Sequence, residues 1–319
     1  MRCETCGAPH ACPLQTQIHQ GSSPPHGLHG IFNVNKPAGM SSHDVVSAVR
    51  RASKTARVGH AGTLDPLATG VLLLCVGQAV RVTEYLMDHD KKYRARVRLG
   101  VATDTYDATG AVVAQRQVSV TREEIADALQ SFVGKVAQAP PAYSALKRAG
   151  TPLYKLARRG VKVEAAPRQI EIYAIDLRAM ALPEVEFDAH CSKGTYIRSL
   201  AHDLGEKLGC GAHLTALTRT ASGPFSLDDA LPLDQLRDAL ANGYAERYLN
   251  PLDDALLQFE AIVVEPESAR AIRQGRTIAC GRAFTTPLLR AYSADGECMA
   301  LLERGRQAGE WKPHKVFAS

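Results

Sequence analysis

Apolar positions along this 319-residue chain fall into short runs whose period changes from segment to segment, and each period predicts an element. Tyr93-Arg94-Ala95-Arg96-Val97-Arg98-Leu99 alternates strictly, so it predicts a strand with Tyr93, Ala95, Val97 and Leu99 on one face. Val71-Leu72-Leu73-Leu74-Cys75-Val76 has no polar phase and predicts a short buried strand. Gly30-Ile31-Phe32-Asn33-Val34-Asn35-Lys36-Pro37 predicts a strand stopped by proline. Ser41 and Ser42 offer N-caps for a helix with Val45, Val46 and Val49 on one face. Thr121-Arg122-Glu123-Glu124 is a capping box, followed by the stripe Ile125, Ala128, Leu129 and Phe132. Thr151-Pro152 predicts a helix start and Gly160 its end. Residues 170–177, 185–191 and 214–220 read as strands, and 196–208 as a helix. Near 250–257 the pattern changes to short strands around one helix, 267–273. Strands and helices mix without βαβ alternation, which predicts an α+β fold: a mixed sheet core flanked by helices, with a small β-rich C-terminal domain.

Composition narrows the class. The chain is 45% hydrophobic and 22% charged, as expected of a globular protein with one large core and a small second domain. No run of eighteen apolar residues predicts a membrane span, and no apolar h-region marks a secretory signal. Cys75, Cys191, Cys210, Cys280 and Cys298 are scattered, mostly in apolar surroundings, and read as free thiols of a cytosolic protein. Residues 1–29 carry no hydrophobic period and read as a disordered tail. Cys3, Cys6, His10 and Cys12 could supply four metal ligands, but the single residue between His10 and Cys12 departs from zinc spacings. The formal net charge of +5 mildly suits a polyanionic partner. Its distribution says more: between Pro141 and Ile170, Lys147, Arg148, Lys155, Arg158, Arg159, Lys162 and Arg168 face one acid, Glu164. Tyr143 and Tyr154 are interleaved among them, a pattern suited to phosphate neutralisation with base stacking.

The chemistry concentrates in Gly59-His60-Ala61-Gly62-Thr63-Leu64-Asp65-Pro66-Leu67-Ala68-Thr69-Gly70-Val71-Leu72. Glycines and a proline forbid a regular helix here, so Asp65 sits on a tight loop at the mouth of a buried strand. From the residues alone, Asp65 is either a turn cap or a positioned acid. Arg198, in Cys191-Ser192-Lys193-Gly194-Thr195-Tyr196-Ile197-Arg198-Ser199-Leu200, falls at a helix N-terminus, where the macrodipole disfavours a cation; an anionic partner would explain it. Tyr93 and Leu217 have a plain reading as strand packing.

The Gly59–Leu72 segment resembles the catalytic-loop motif of the TruB family, the tRNA pseudouridine-55 synthases. The Lys36-Pro37 pair, Tyr93 after Lys91-Lys92, the segment from Pro140 to Lys147, the Arg198 segment and His213-Leu214-Thr215-Ala216-Leu217-Thr218-Arg219 resemble further family motifs in the same order. The resemblance implies a pseudouridine-synthase core over residues 30–250 and a PUA-like RNA-binding domain over 258–319. It implies Asp65 as nucleophile, Arg198 as its ion-pair partner holding it ionised, and Tyr93 as the ring that stacks on the target uracil and serves the C5 proton step. His60, Tyr196, Leu217 and Lys147 become substrate contacts, and Lys36 a site-supporting residue. The implied reaction needs no cofactor and no metal. The implied partner is the T-arm of tRNA, with no membrane and no obligatory protein partner, the enzyme acting as a cytoplasmic monomer. Two alternatives stand beside it: a guide-RNA-dependent synthase acting on ribosomal RNA, and a non-catalytic tRNA-folding chaperone.

Overall fold

The computed structural model describes residues 27–55, 57–143, 147–148, 151–152 and 166–317, with the side chains of 147–148 and 151–152 outside the description. The expectations for residues 1–26, including Cys3, Cys6, His10 and Cys12, lie outside the described residues. So do most basic side chains between 144 and 165, Lys147 among them, and the body of the helix expected to end at Gly160. At its expected start, Thr151–Pro152 instead forms a two-residue strand, antiparallel to Lys147–Arg148. Proline is tolerated there because so short an edge strand needs no donor from it.

An eleven-stranded mixed sheet carries the core. Its path runs Leu231–Pro232, Gly30–Lys36, Thr69–Val76, Ala212–Ser222, Lys91–Leu99, Glu184–Cys191, Arg168–Ala181 and Gly134–Gln138. Phe225–Ser226, Leu249–Asn250 and Val58–Ala61 pair off this path. Two junctions are parallel: Leu231–Pro232 with Gly30–Lys36, and Thr69–Val76 with Ala212–Ser222. The second is only two residues long, Thr69 opposite Thr218 and Gly70 opposite Arg219.

The unbroken apolar run of Thr69–Val76 has a direct cause: both faces of this strand are buried. Leu72, Leu74 and Val76 enter one cluster with Phe32, Val34, Val45 and Tyr93. Val71, Leu73 and Cys75 enter a second, on the opposite face, with Ile31, Val82, Leu86 and Leu256. Each such Leu or Val stabilises the fold by roughly 1.5–3 kcal/mol through burial. Lys91–Leu99 alternates because one face meets the first cluster while Lys92, Arg94, Arg96 and Arg98 stand in solvent.

Six α-helices lie among the described residues: α1 (Ser42–Ser53), α2 (Thr83–Asp88), α3 (Arg122–Gln130), α4 (Ile197–Lys207), α5 (Leu233–Ala241) and α6 (Pro266–Arg273). Ser41 and Asp44 close a capping box on α1, and Thr121 and Glu124 one on α3. Neither α2 nor α5 has a side-chain cap, which leaves them without a start signal in the sequence.

After a 3₁₀ turn at Leu252–Leu256, five strands form a second sheet: Glu260–Val263, Leu288–Tyr292, Cys298–Arg304, Glu310–Val316 and Ile278–Ala279, in that order. With α6 they enclose their own cluster around Ile272, Leu289, Leu302 and Trp311. Leu301 and Phe317 point the other way, into the second cluster under the main sheet. Lys315 Nζ seals this junction by donating to Glu84 Oε1 at 2.5 Å and to Arg81 O at 2.6 Å. At the other end, Leu28 packs on the first cluster and His29 Nδ1 accepts from Gln78 N at 3.1 Å.

Candidate active site

The Asp65 loop is fastened at several points before any charge is considered. Ser42 Oγ accepts from Leu64 N at 2.8 Å and donates to Leu64 O at 3.0 Å, while Gly39 N donates to Pro66 O at 2.8 Å. Lys36 is fully buried, and its ammonium donates to the carbonyls of Met40 at 2.5 Å, Pro37 at 2.8 Å and Pro66 at 3.4 Å. Burial pushes Lys36 down to about 8, against the opposing pull of the Asp65 and Asp44 carboxylates. Asp65 does close a turn, but with its backbone: Ala68 N donates to Asp65 O at 3.0 Å. Its carboxyl is left for another task.

That carboxyl meets Arg198. Nε lies 2.9 Å from Asp65 Oδ2, and the Arg198 side chain is 6% exposed against 39% for Asp65. The contact is one of charge, since the Nε–H is not aimed along a hydrogen bond. Arg198 opens α4, and its other nitrogens are held by carbonyls, Nη1 by Thr105 at 3.3 Å and Nη2 by Tyr143 at 3.0 Å. A second carboxylate, the buried Asp107, places Oδ2 3.5 Å from Nη1. Its Oδ1 is occupied by Thr105 Oγ1, Thr109 N and Thr109 Oγ1, at 2.8, 2.9 and 2.6 Å. The arrangement is therefore one guanidinium between two carboxylates, one inaccessible and the other open.

The Asp65 carboxyl stands above the usual carboxylate range. Burial is the main cause and the Asp107 charge adds to it, while Arg198 and Lys36 pull the other way. Arg198 thus acts in the expected direction, favouring the ionised carboxyl, and burial opposes it.

Tyr93 is 9% exposed on the inner face of Lys91–Leu99, directly opposite Arg219 across the ladder. Burial raises its phenol, the Arg219 guanidinium lowers it, and the Asp65 charge reaches it as well. Leu217 is buried two residues before Arg219, opposite Ala95 on the same face. His60 lies on the strand Val58–Ala61, opposite Leu74, rather than in a loop. Burial first, then Arg219 and His43, lowers its pKa and favours the neutral ring. Tyr196 precedes α4, its backbone bracketed by the Gln138 amide, which donates to Tyr196 O at 3.0 Å and accepts from Tyr196 N at 2.8 Å. Lys147 pairs through its backbone with Pro152, and its side chain lies outside the description.

Two residues escaped the sequence reading. Asp107 sits in Thr103-Asp104-Thr105-Tyr106-Asp107-Ala108-Thr109-Gly110, where hydroxyl and Asx residues bonding to one another look like ordinary turn chemistry. Arg219 left a clearer signal, a cation in phase with the inward-facing Ala212, Leu214 and Leu217. Among the described residues no cluster of three or more His, Cys, Asp or Glu side chains is placed to hold a metal ion.

Comparison with known proteins meets this geometry. TruB family pseudouridylate synthase (N terminal domain) matches residues 50–197, and tRNA pseudouridylate synthase B C-terminal domain matches 198–264. A tRNA pseudouridine synthase B from Syntrophotalea carbinolica is 47% identical over 249 residues, covering 78% of this chain and 81% of that protein. The chain belongs to the TruB family. Another member, the tRNA pseudouridine synthase B of Thiobacillus denitrificans, is 43% identical over 290 residues, 91% of this chain and 96% of its own. The α+β fold is shared with a chain in a solved Cbf5-Nop10-Gar1 complex, at TM-score 0.70 and 26% identity over 91% of this chain and 85% of that one. A chain in an H/ACA ribonucleoprotein bound to a substrate RNA containing 2′-deoxyuridine shares the fold at TM-score 0.70 and 24% identity, over 91% and 86%. The join between the two family domains falls at 197/198, so Asp65 and its Arg198 partner come from opposite sides of it.

Proposed function

We propose that this chain isomerises the T-loop uridine of tRNA, position 55, to pseudouridine, with Asp65 as nucleophile. The observation that carries the reading is the Asp65–Arg198 pair: a fixed carboxylate, charge-balanced on its buried side and 39% exposed on the other. The reaction breaks the C1′–N1 bond, turns the base and forms C1′–C5; the C5 proton leaves and N1 regains one. Nothing is oxidised and no group is transferred, so a nucleophile, a retaining pocket and a proton acceptor suffice. Tyr93 supplies a ring for the base and an oxygen for the proton. His60, Tyr196, Leu217 and Lys147 would contact the RNA, whose target base must leave its stack to reach Asp65. Residues 30–250 would form the catalytic domain and 258–319 a PUA-like RNA-binding domain, in a cytoplasmic monomer that needs no protein partner.

The naming of relatives above 40% identity as tRNA pseudouridine synthase B favours tRNA as substrate. The fold likeness to chains in guide-RNA complexes is the one observation pointing elsewhere. Incubating the purified chain with an unmodified tRNA transcript separates the two. Pseudouridine at position 55, formed without other protein or RNA and lost in Asp65→Asn while tRNA binding persists, is the expected result. No product without added factors would transfer the chain to the guide-dependent class. Restored tRNA folding by Asp65→Asn would reveal a chaperone role alongside.

A further inference from the structure

Arg219 is among the largest fully buried side chains of the protein, at 1% exposure. None of the ion pairs formed among the described residues includes it. Its guanidinium spans the base of the Asp65 loop, Nη2 donating to Gly62 O at 3.1 Å and Nε to Val71 O at 2.6 Å. These carbonyls flank the loop on either side of Asp65. The loop approaches this strand closely, its glycines meeting the backbone of residue 219 at Gly70 and the guanidinium at Gly62. Gly70 adopts φ +96°, and a Cβ there would lie 2.2 Å from Arg219 O; Gly62 adopts φ +91°, with its missing Cβ 3.4 Å from Nη1. Arg219 also stands opposite Tyr93 on the same face of the sheet. A buried cation is expensive, and this one is held by backbone carbonyls with no carboxylate to balance it. Its retention calls for a reason beyond packing.

We propose that Arg219 is a positioning residue for the isomerisation, a strut that fixes both ends of the Asp65 loop and holds the Tyr93 hydroxyl in the site. The inference rests on the isomerase reading above and deepens it. Arg219 acts through others: it does not meet the substrate but sets the spacing between nucleophile and proton acceptor. Its charge also biases the groups around it. It favours the Tyr93 phenolate, against burial and the Cys191 and Asp65 charges, and it disfavours the protonated forms of His60, Lys36 and Lys91.

Arg219→Lys keeps the charge but cannot bridge two carbonyls and face the phenol at once. Single-turnover kinetics on a tRNA transcript should show the rate constant falling about 10²-fold, as for a misplacement near 1 Å, with RNA affinity held. The Tyr93 phenol, read as the ultraviolet titration difference between each protein and its Tyr93→Phe counterpart, should move upward in Arg219→Lys. In a Tyr93→Phe background the same substitution should cost several-fold less, because part of its effect passes through Tyr93. An unmoved phenol, or fully multiplicative losses, overturns the proposal. Should Arg219→Lys fail to fold, Arg219→Gln, which keeps a side-chain donor without the charge, takes its place, and the same upward movement is expected. Inactivity of the wild-type chain on tRNA would defeat the isomerase reading itself, while the phenol titration would still report whether Arg219 governs Tyr93.

Discussion

Two arginine–aspartate pairs in this protein share one distance and little else. Arg94 Nε lies 2.9 Å from Asp188 Oδ1 on the open face of the sheet, and Arg198 Nε lies 2.9 Å from Asp65 Oδ2 in the site. The surface pair is a true fork, with Arg94 Nη2 donating to Asp188 Oδ2 at 3.3 Å, and both side chains stand substantially in solvent. In the site the arginine is 6% exposed, its Nε–H is unaligned, and a second carboxylate shares it. Geometry in the first case is optimised for the pair. In the second it leaves one carboxyl incompletely satisfied and reachable, which suits the nucleophile proposed for it. Distance alone does not tell a structural ion pair from a reactive one; burial asymmetry and the remaining partners do.

The largest expected difference between the pairs is chemical. Asp65→Asn should lower the rate of pseudouridine formation by at least about 10³-fold with tRNA affinity little changed, whereas Asp188→Asn should leave the rate within experimental scatter. Single-turnover assays with both variants check this, and a comparable loss in each would dissolve the distinction. Arg198→Ala should also destabilise the protein by about 3–5 kcal/mol in urea unfolding, because it leaves Asp65 and Asp107 facing each other without a cation.

A smaller effect concerns pH. Because the Asp65 carboxyl is raised chiefly by burial, the acid limb of the rate profile should lie above the ordinary carboxylate range, and activity should fall as pH drops through it. Asp107 contributes to that raising, so Asp107→Asn should move the limb to lower pH even as the weaker anchoring of Arg198 lowers the plateau. A limb that stays in place would mean that Asp107 acts on Arg198 alone.

The comparison also shows what a sequence can carry. Strict alternation in 93–99 and the capping boxes at Ser41 and Thr121 were legible because each is decided locally, by neighbours within a few residues. Asp65 and Arg198 could be singled out, one by its loop and the other by sitting against a helix dipole, and their resemblance to family motifs joined them. Asp107 was not legible: its work depends on Arg198, 91 positions later in the chain, and its hydroxyl partners imitate a turn. The balance of forces on Asp65 is hidden for a related reason. A cation can be read from sequence, but the partial enclosure that opposes it emerges only when Ser42, Gly39 and Lys36 fasten the loop against the fold. Residues α2 and α5 bury, Leu86 and Leu236 among them, gave no start signal because no cap precedes either helix.

The smallest expected effect belongs to the surface fork, and it sharpens the contrast most. A double-mutant cycle on Arg94 and Asp188 should return a coupling of about 0.2–1 kcal/mol, since both charges keep much of their hydration and give up side-chain entropy to pair. Arg178 Nε, 3.5 Å from Asp188 Oδ2, offers the carboxylate a second cation, which lowers the loss when Arg94 is removed. That coupling should shrink further in 1 M salt, where the screening length falls to about 3 Å, while the 6%-exposed Arg198 should keep its contribution. A salt-resistant coupling at Arg94 would show that the open face of the sheet is drier than its exposure implies, and the line drawn between the two pairs would have to move.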